Sequence, residues 1–294
     1  MDRSERKQPE TVVPRVAFRE LRSLWFQVTG TLCNLACRHC FNASGPRDPW
    51  LGRLDSTTVR RYIAEAQDLG VREFYFTGGE PFLHPAILSL IDEALAVAPT
   101  TVLTNGTLIH DAMADRLASI ATAASYSLEI RISLDAPTAA ENDAIRGRGS
   151  FAKALHAAQR LAARGLYPLV TATEIVQASG RATLYEQLRA LLIASGIDRP
   201  RIKIVPVLPI GRCADHGGHR RVTQHDLEHF DTGRLQCTES RVVADGGIYT
   251  CPILAGLGGA RAATGRLADA LGPARLYHTA CSTCYDTGIA CKNF

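Results

Sequence analysis

The sequence predicts an α/β fold built on a parallel sheet, followed by a compact cysteine-rich segment. Short β-rich runs alternate with helical periods from residue 22 to about residue 207, and strands joined by helices in this way form parallel sheets with right-handed crossovers. The alternation stops after Val207. The nine cysteines are unevenly placed: Cys33, Cys37 and Cys40 share one loop, none lies between residues 41 and 212, and six follow. With 294 residues, 46% of them hydrophobic, the chain can bury one full core plus a small appended unit.

The strand candidates in order are LWFQVT (24–29), EFYFT (73–77), TVLT (101–104), LEIRISLD (128–135), LVTATEIV (169–176) and IKIVPV (202–207). Amphipathic stretches separate them, such as 56–70 and 150–165. DSTT supplies N-cap chemistry to the first of these helices and Gly70 a C-cap. Six such repeats fit an open doubly wound sheet or a partial barrel, and periodicity does not choose between them. Residues 208–236 are Gly- and His-rich and read as a linker or a loop over a site. The histidines there, His216, His219, His225 and His229, fit no compact metal site by spacing. DGGIYTC (245–251) reads as a tight turn entering a strand. The expected division is an N-terminal extension over 1–21, the α/β unit over 22–210, a linker over 211–236 and the cysteine-rich unit over 237–294.

A net charge of +4 does not point to nucleic acid or to a membrane surface. No run of eighteen apolar residues exists, and the polar N-terminus lacks an apolar signal core. A cytoplasmic enzyme with no nucleic-acid or membrane partner is expected. Disulfides are rare in that compartment, so clustered thiols read as metal ligands or redox groups.

Cys33, Cys37 and Cys40 are separated by three and then two residues, with the next cysteine at 213. Each thiolate can hold one iron of a [4Fe–4S] cube. Three of them leave one iron open to a small molecule. Structural zinc wants four ligands, commonly as two separated pairs, and His39, adjacent to Cys40, is poorly placed to be the fourth. Buried free cysteines are the remaining alternative, and a crowded loop is an odd way to pack a core.

CNLACRHC follows the first strand. TGGEPFLHP (77–85) ends the second, TNGT (104–107) the third, and ISLDAPTAAENDAIRGRGSF (132–151) spans the end of the fourth. In this order the segments resemble those of the radical S-adenosylmethionine (SAM) superfamily, over about residues 22–210. The resemblance implies a partial (β/α)6 TIM-like barrel, a SAM-binding [4Fe–4S] cluster on Cys33, Cys37 and Cys40, and SAM as cosubstrate. Reductive cleavage of SAM would give a 5′-deoxyadenosyl radical that abstracts hydrogen from an unactivated carbon. A reducing partner such as flavodoxin or ferredoxin is implied as well. Carried onto this chain, Gly78 and Gly79 let backbone approach the ligand, and Glu80 accepts from the methionyl ammonium. Arg146 and Ser133 hold the carboxylate, Asn105 and Asp135 are candidate adenosine contacts, and His39 and Phe41 flank the adenine.

The later cysteines, in CTESRVVADGGIYTC and CSTCYDTGIAC, resemble the auxiliary-cluster domains called SPASM or, in the shorter form, twitch. The resemblance implies a second [4Fe–4S] cluster on Cys237, Cys251, Cys281 and Cys284. The trio Cys281, Cys284 and Cys291 with Cys237 fits the spacing equally well, and zinc shares these spacings. Spare thiols suggest a hydrogen donor, with Cys251 and Cys213 as candidates.

Only 32 residues precede Cys33, fewer than a peptide-recognition domain needs. The resemblance therefore leads toward antibiotic biosynthesis, with hydrogen abstraction from a carbinol C–H of a carbohydrate or aminoglycoside-type intermediate. Epimerisation through a cysteine donor is expected. The alternatives are dehydrogenation with the auxiliary cluster as electron acceptor, and modification of a ribosomal peptide.

Overall fold

A computed structural model describes residues 12–47, 49–174, 180–215 and 220–288. Cys291, His216 and His219 lie outside the described residues, as does the N-terminal extension up to residue 11. A short strand, β1 (Arg15–Val16), precedes the main sheet. There follow β2 (Ser23–Gln27), α1 (Ser56–Asp68), β3 (Glu73–Thr77), α2 (Ile87–Leu95), β4 (Thr100–Thr104), α3 (Asp111–Ala123) and β5 (Leu128–Ser133). Two helices, α4 (Ala139–Arg146) and α5 (Ser150–Ala162), lead to β6 (Leu169–Glu174), and α6 (Gly180–Ala194) leads to β7 (Arg201–Pro206). All six predicted strands form, side by side and parallel, in the order β2-β3-β4-β5-β6-β7.

The differences lie at strand ends, where the backbone leaves the ladder to build loops. β2 stops at Gln27 because Gly30, at φ +55°, turns the chain and donates its N–H to the Gln27 carbonyl at 3.0 Å. A side chain at Gly30 would meet the Leu51 carbonyl oxygen at 2.0 Å, so glycine is required there. β5 stops at Ser133, after which the Asp135 N–H bonds the Asn142 side chain rather than a neighbouring strand. α1 is capped as expected, the Asp55 carboxylate accepting from the Thr58 N–H at 2.8 Å, and Gly70 follows it at φ +74°.

The cysteine-rich segment joins the same sheet. Its first strand, β8 (Ser240–Ala244), pairs parallel with β2, Ser23 opposite Ser240. An Asp245-Gly246 turn then returns the chain antiparallel as β9 (Gly247–Tyr249), which pairs with β10 (Arg261–Ala263). Gly246 sits at φ +81°, a conformation glycine adopts without steric cost. Farther on, β11 (Ala274–Arg275) pairs with β1. The sheet therefore runs unbroken across the expected boundary at residue 237. The interval 211–236 holds the short helix α7 (Gln224–Leu227), and α8 (Ala280–Thr287) lies near the C-terminus.

The two faces of the sheet are covered differently. Leu24, Phe26, Phe74 and Phe76 pack with Leu90 and Ile91 of α2 in the larger core. Trp25 and Tyr75 point to the other face, where their rings stack with centroids 4.0 Å apart. There Val242, Tyr249, Ile253, Leu254 and Ala280 pack with them. The C-terminal segment thus closes the inner face, and the strand ends open into what lies between.

Candidate active site

Immediately after β2 the chain forms the loop that carries the three cysteines. Cys33 and Cys37 are buried and Cys40 is half-buried. The Leu35 N–H approaches Cys33 Sγ at 3.4 Å, the Asn105 amide approaches the same sulfur at 3.7 Å, and the Ser44 N–H approaches Cys40 Sγ at 3.3 Å. Burial pushes the Cys33 thiol up to about 12 and also raises Cys37, so without a bound cation both keep their protons. Loading a metal group here displaces those protons.

Gly78 and Gly79 let β3 approach this loop. A Cβ at Gly78 would meet Thr29 Oγ1 at 2.2 Å, and one at Gly79 would meet the Leu32 carbonyl oxygen at 2.2 Å. Both glycines line the main cavity, and their lack of side chains also seats the cysteine loop. Glu80, expected to accept from the methionyl ammonium, bonds within the protein in this structure. Its carboxylate is fully buried and turned into the protein, accepting from Thr104 Oγ1 at 2.7 Å and from the N–H groups of Asn105 at 2.8 Å and Phe82 at 3.1 Å. Burial nevertheless raises this carboxyl to about 7. Asn105 lines the cavity, while its amide bonds Asn34 and its carbonyl accepts from Thr107, so it braces the cysteine loop from β4.

The segment after β5 supplies a buried ion-pair network. Asp135 is buried away from the cavity and bridges two residues that do line it: Arg146 Nε lies 2.6 Å and His39 Nε2 2.9 Å from its Oδ2. Oδ1 accepts from the Thr173 N–H at 2.7 Å. Burial alone would raise this carboxyl, but Arg146 and His39 overcome it and hold it well below the usual carboxylate range. Asp135 thus ties His39 and Arg146 together at the cavity wall. Asn142 fixes Asp135 in turn and bonds Ser150 at 3.0 Å. Nothing in the sequence marked Asn142 beyond its place in the fourth motif.

Arg212 is the other residue that sequence reasoning missed. Its guanidinium donates to the carbonyls of Cys37 at 2.9 Å, Ala43 at 3.1 Å and Ser44 at 2.7 Å, and its N–H bonds the Cys40 carbonyl at 3.0 Å. It acts across about 170 positions of sequence, which spacing cannot signal. The neighbouring Cys213 is buried and does not line the main cavity.

That cavity has a volume of about 240 Å³ and lies across the strand ends. The three cysteines, His39, Phe41, Ser133 and Arg146 line it, as do Arg131 and Lys203. Among the described residues, buried polar atoms on its walls without a hydrogen-bond partner include His39 Nδ1, Ser44 Oγ, Trp25 Nε1 and Thr171 Oγ1. A cavity with such walls suits a ligand rich in polar groups.

A smaller cavity of about 30 Å³ is lined by Cys237, Cys251, Cys281 and Cys284. The two cavities share Cys284 and Ile253. Cys251 belongs to this second group and, like Cys213, does not line the main cavity. Burial pushes Cys237 up to about 12. Among the described residues, no three His, Cys, Asp or Glu side chains converge on a single metal ion. Zinc needs such convergence. An iron–sulfur cube does not, since each thiolate binds its own corner iron.

The sequence profile of the radical SAM superfamily matches residues 28–178. The chain belongs to this superfamily. Its cofactors are accordingly a [4Fe–4S] cluster and SAM, and the loop fits the cluster: three cysteines side by side, each outermost sulfur met by N–H donors. A radical SAM relative, mycofactocin maturase MftC of Mycobacterium ulcerans (strain Agy99), is 37% identical over 189 residues, covering 62% of this chain and 47% of that protein. The chain thus matches less than half the length of this relative. In fold it is similar to Streptococcus suis SuiB bound to S-adenosylmethionine, with a TM-score of 0.61, 18% identity, and coverage of 82% of this chain and 62% of that one. It is also similar to anSMEcpe with bound AdoMet, with a TM-score of 0.61, 16% identity, and coverage of 84% and 79%. No helix among the described residues is long and apolar enough to cross a membrane.

Proposed function

We propose that this radical SAM enzyme modifies a peptide, with Cys33, Cys37 and Cys40 holding the SAM-binding cluster and Cys237, Cys251, Cys281 and Cys284 a second [4Fe–4S] cluster. The observation that carries the peptide reading is the 37% identity over 189 residues to a protein named a maturase. Cavity chemistry agrees with it. Arg131, paired with Glu129, Arg146, paired with Asp135, and Lys203 line the walls, and a peptide brings carboxylates and amides that such donors can bond. Epimerisation of a carbinol loses its support because neither Cys213 nor Cys251 lines the substrate space.

When bound, the cluster and SAM supply reductive carbon–sulfur cleavage and, through it, hydrogen-atom abstraction. The chain's own residues bind and orient. Asp135 holds Arg146 and His39 at the cavity wall, where Arg146 would hold the methionyl carboxylate of SAM and His39, with Phe41, would flank the adenine. The buried walls of the inner face keep water from the reacting carbon.

The test is anaerobic incubation of reconstituted protein with SAM, dithionite and a short peptide encoded beside its gene, in parallel with aminoglycoside-type sugars. Peptide-dependent formation of 5′-deoxyadenosine with a mass change in the peptide is expected. Stimulation by the sugars alone would overturn the peptide reading, and no 5′-deoxyadenosine under any condition would overturn the chemistry.

A further inference from the structure

Arg241, in the middle of β8, has none of its surface exposed. Its guanidinium is spent on main-chain carbonyls: Nε donates to Ala270 at 2.6 Å, Nη1 to Cys237 at 2.9 Å and Ser240 at 2.7 Å, and Nη2 to Gly272. The Phe18 ring covers it, with the centroid 4.0 Å from Cζ. Carbonyls satisfy the donors but do not neutralise the charge. A buried cation without a counter-ion is costly, and proteins seldom keep one without an anion nearby.

Among the described residues no carboxylate supplies that anion. Cys237 and Cys251 both lie on the wall of the four-cysteine cavity. Cys237 is adjacent through its own carbonyl, which accepts from Arg241. The group placed to supply an anion here is a cluster in that cavity, since Arg241 already grips the main chain of Cys237 on its wall. A cube held by four thiolates is net negative, and gains a further negative charge when it accepts one electron.

We propose that Arg241 is the fixed counter-charge of the four-cysteine site, holding its thiolates in the loaded state and raising the reduction potential of the cluster by stabilising its reduced form. This rests on the reading that Cys237, Cys251, Cys281 and Cys284 hold a cluster. Arg241 touches neither substrate nor SAM, so its role is to tune the site rather than to react.

The experiment uses the full chain with Cys33, Cys37 and Cys40 changed to alanine, so that iron binds only at the C-terminal site. After anaerobic reconstitution, iron is counted and the cluster is reduced stepwise with dithionite while its electron paramagnetic resonance signal is followed. R241Q is expected to hold its cluster at a more negative midpoint than the parent, or to lose most of its iron, while R241K restores both. Equal midpoints and iron contents in parent and R241Q would overturn the counter-charge while leaving the cluster in place. Equal loss in R241Q and R241K would also overturn it, as expected of a purely structural arginine. Should R241Q fail to fold, R241K alone decides, since a midpoint far below the parent's contradicts a role carried by charge. Absence of iron in the parent is a separate outcome: it removes the cluster reading beneath the proposal, and the proposal with it.

Discussion

Asp135 illustrates how much a single buried charge organises here. Replacing it with asparagine keeps the shape but leaves the Arg146 guanidinium buried without its anion, beside Cys37. Breaking a buried pair from one side costs about 3–5 kcal/mol, so D135N should lose about that much in urea unfolding of the cluster-free chain. A loss below about 1 kcal/mol would mean that Arg146 reaches water instead. Glu80 makes the opposite use of burial. Burial raises its carboxyl from 4.5 to about 7 against the pull of Asn105, Thr104 and Phe82. The folded chain therefore holds that proton more tightly than the unfolded chain. The stabilisation is fully present below about pH 4.5 and is lost as the pH rises through about 7. E80Q cannot titrate, so wild-type stability minus that of E80Q should fall across this window. A difference that stays constant with pH would show that Glu80 titrates as it does when unfolded. The motif spelled out Glu80 and Asp135 as residues to watch. Their hydrogen-bond partners within the protein were not legible, because a short acid at a strand end can bond many neighbours, and only the fold brings them together.

At the scale of elements, the sequence made the six strands and the cysteine loop plain because each is a local pattern. Alternation marks a strand within a few residues, and the CxxxCxxC spacing marks the loop within eight. What steadies the loop was hidden because it comes from afar: the turn Gly211–Cys213, whose arginine gathers three loop carbonyls. R212M should leave the sheet intact, since the residue touches none of its strands. Charge-assisted hydrogen bonds contribute about 1.5–3 kcal/mol each, so the loss of three should speed removal of iron from the first site by a chelator by about tenfold or more. G211A should behave alike, because at φ +64° its Cβ would lie 2.2 Å from the Phe41 carbonyl oxygen. Unchanged iron release in both variants would mean that the turn merely rests on the loop.

Across the whole molecule, the parallel pairing of β8 with β2 is what places the two cysteine groups on one frame. Ser23 and Ser240 exchange a side-chain hydrogen bond at 2.7 Å across 217 positions. The sequence suggested a separate unit from residue 237 because a short buried run such as SRVVA carries no mark of its partner strand. A cut after residue 236 would make β2 an edge strand and strip Val242, Tyr249 and Ile253 from the Trp25–Tyr75 stack. An uncovered parallel strand beside exposed aromatic rings pairs with other chains. The truncated chain should therefore aggregate on expression, whereas the full chain should unfold in one transition whether followed by Trp fluorescence or by far-ultraviolet circular dichroism. Two separated transitions, together with a well-folded 1–236 fragment, would mean that the inner face is closed without β8.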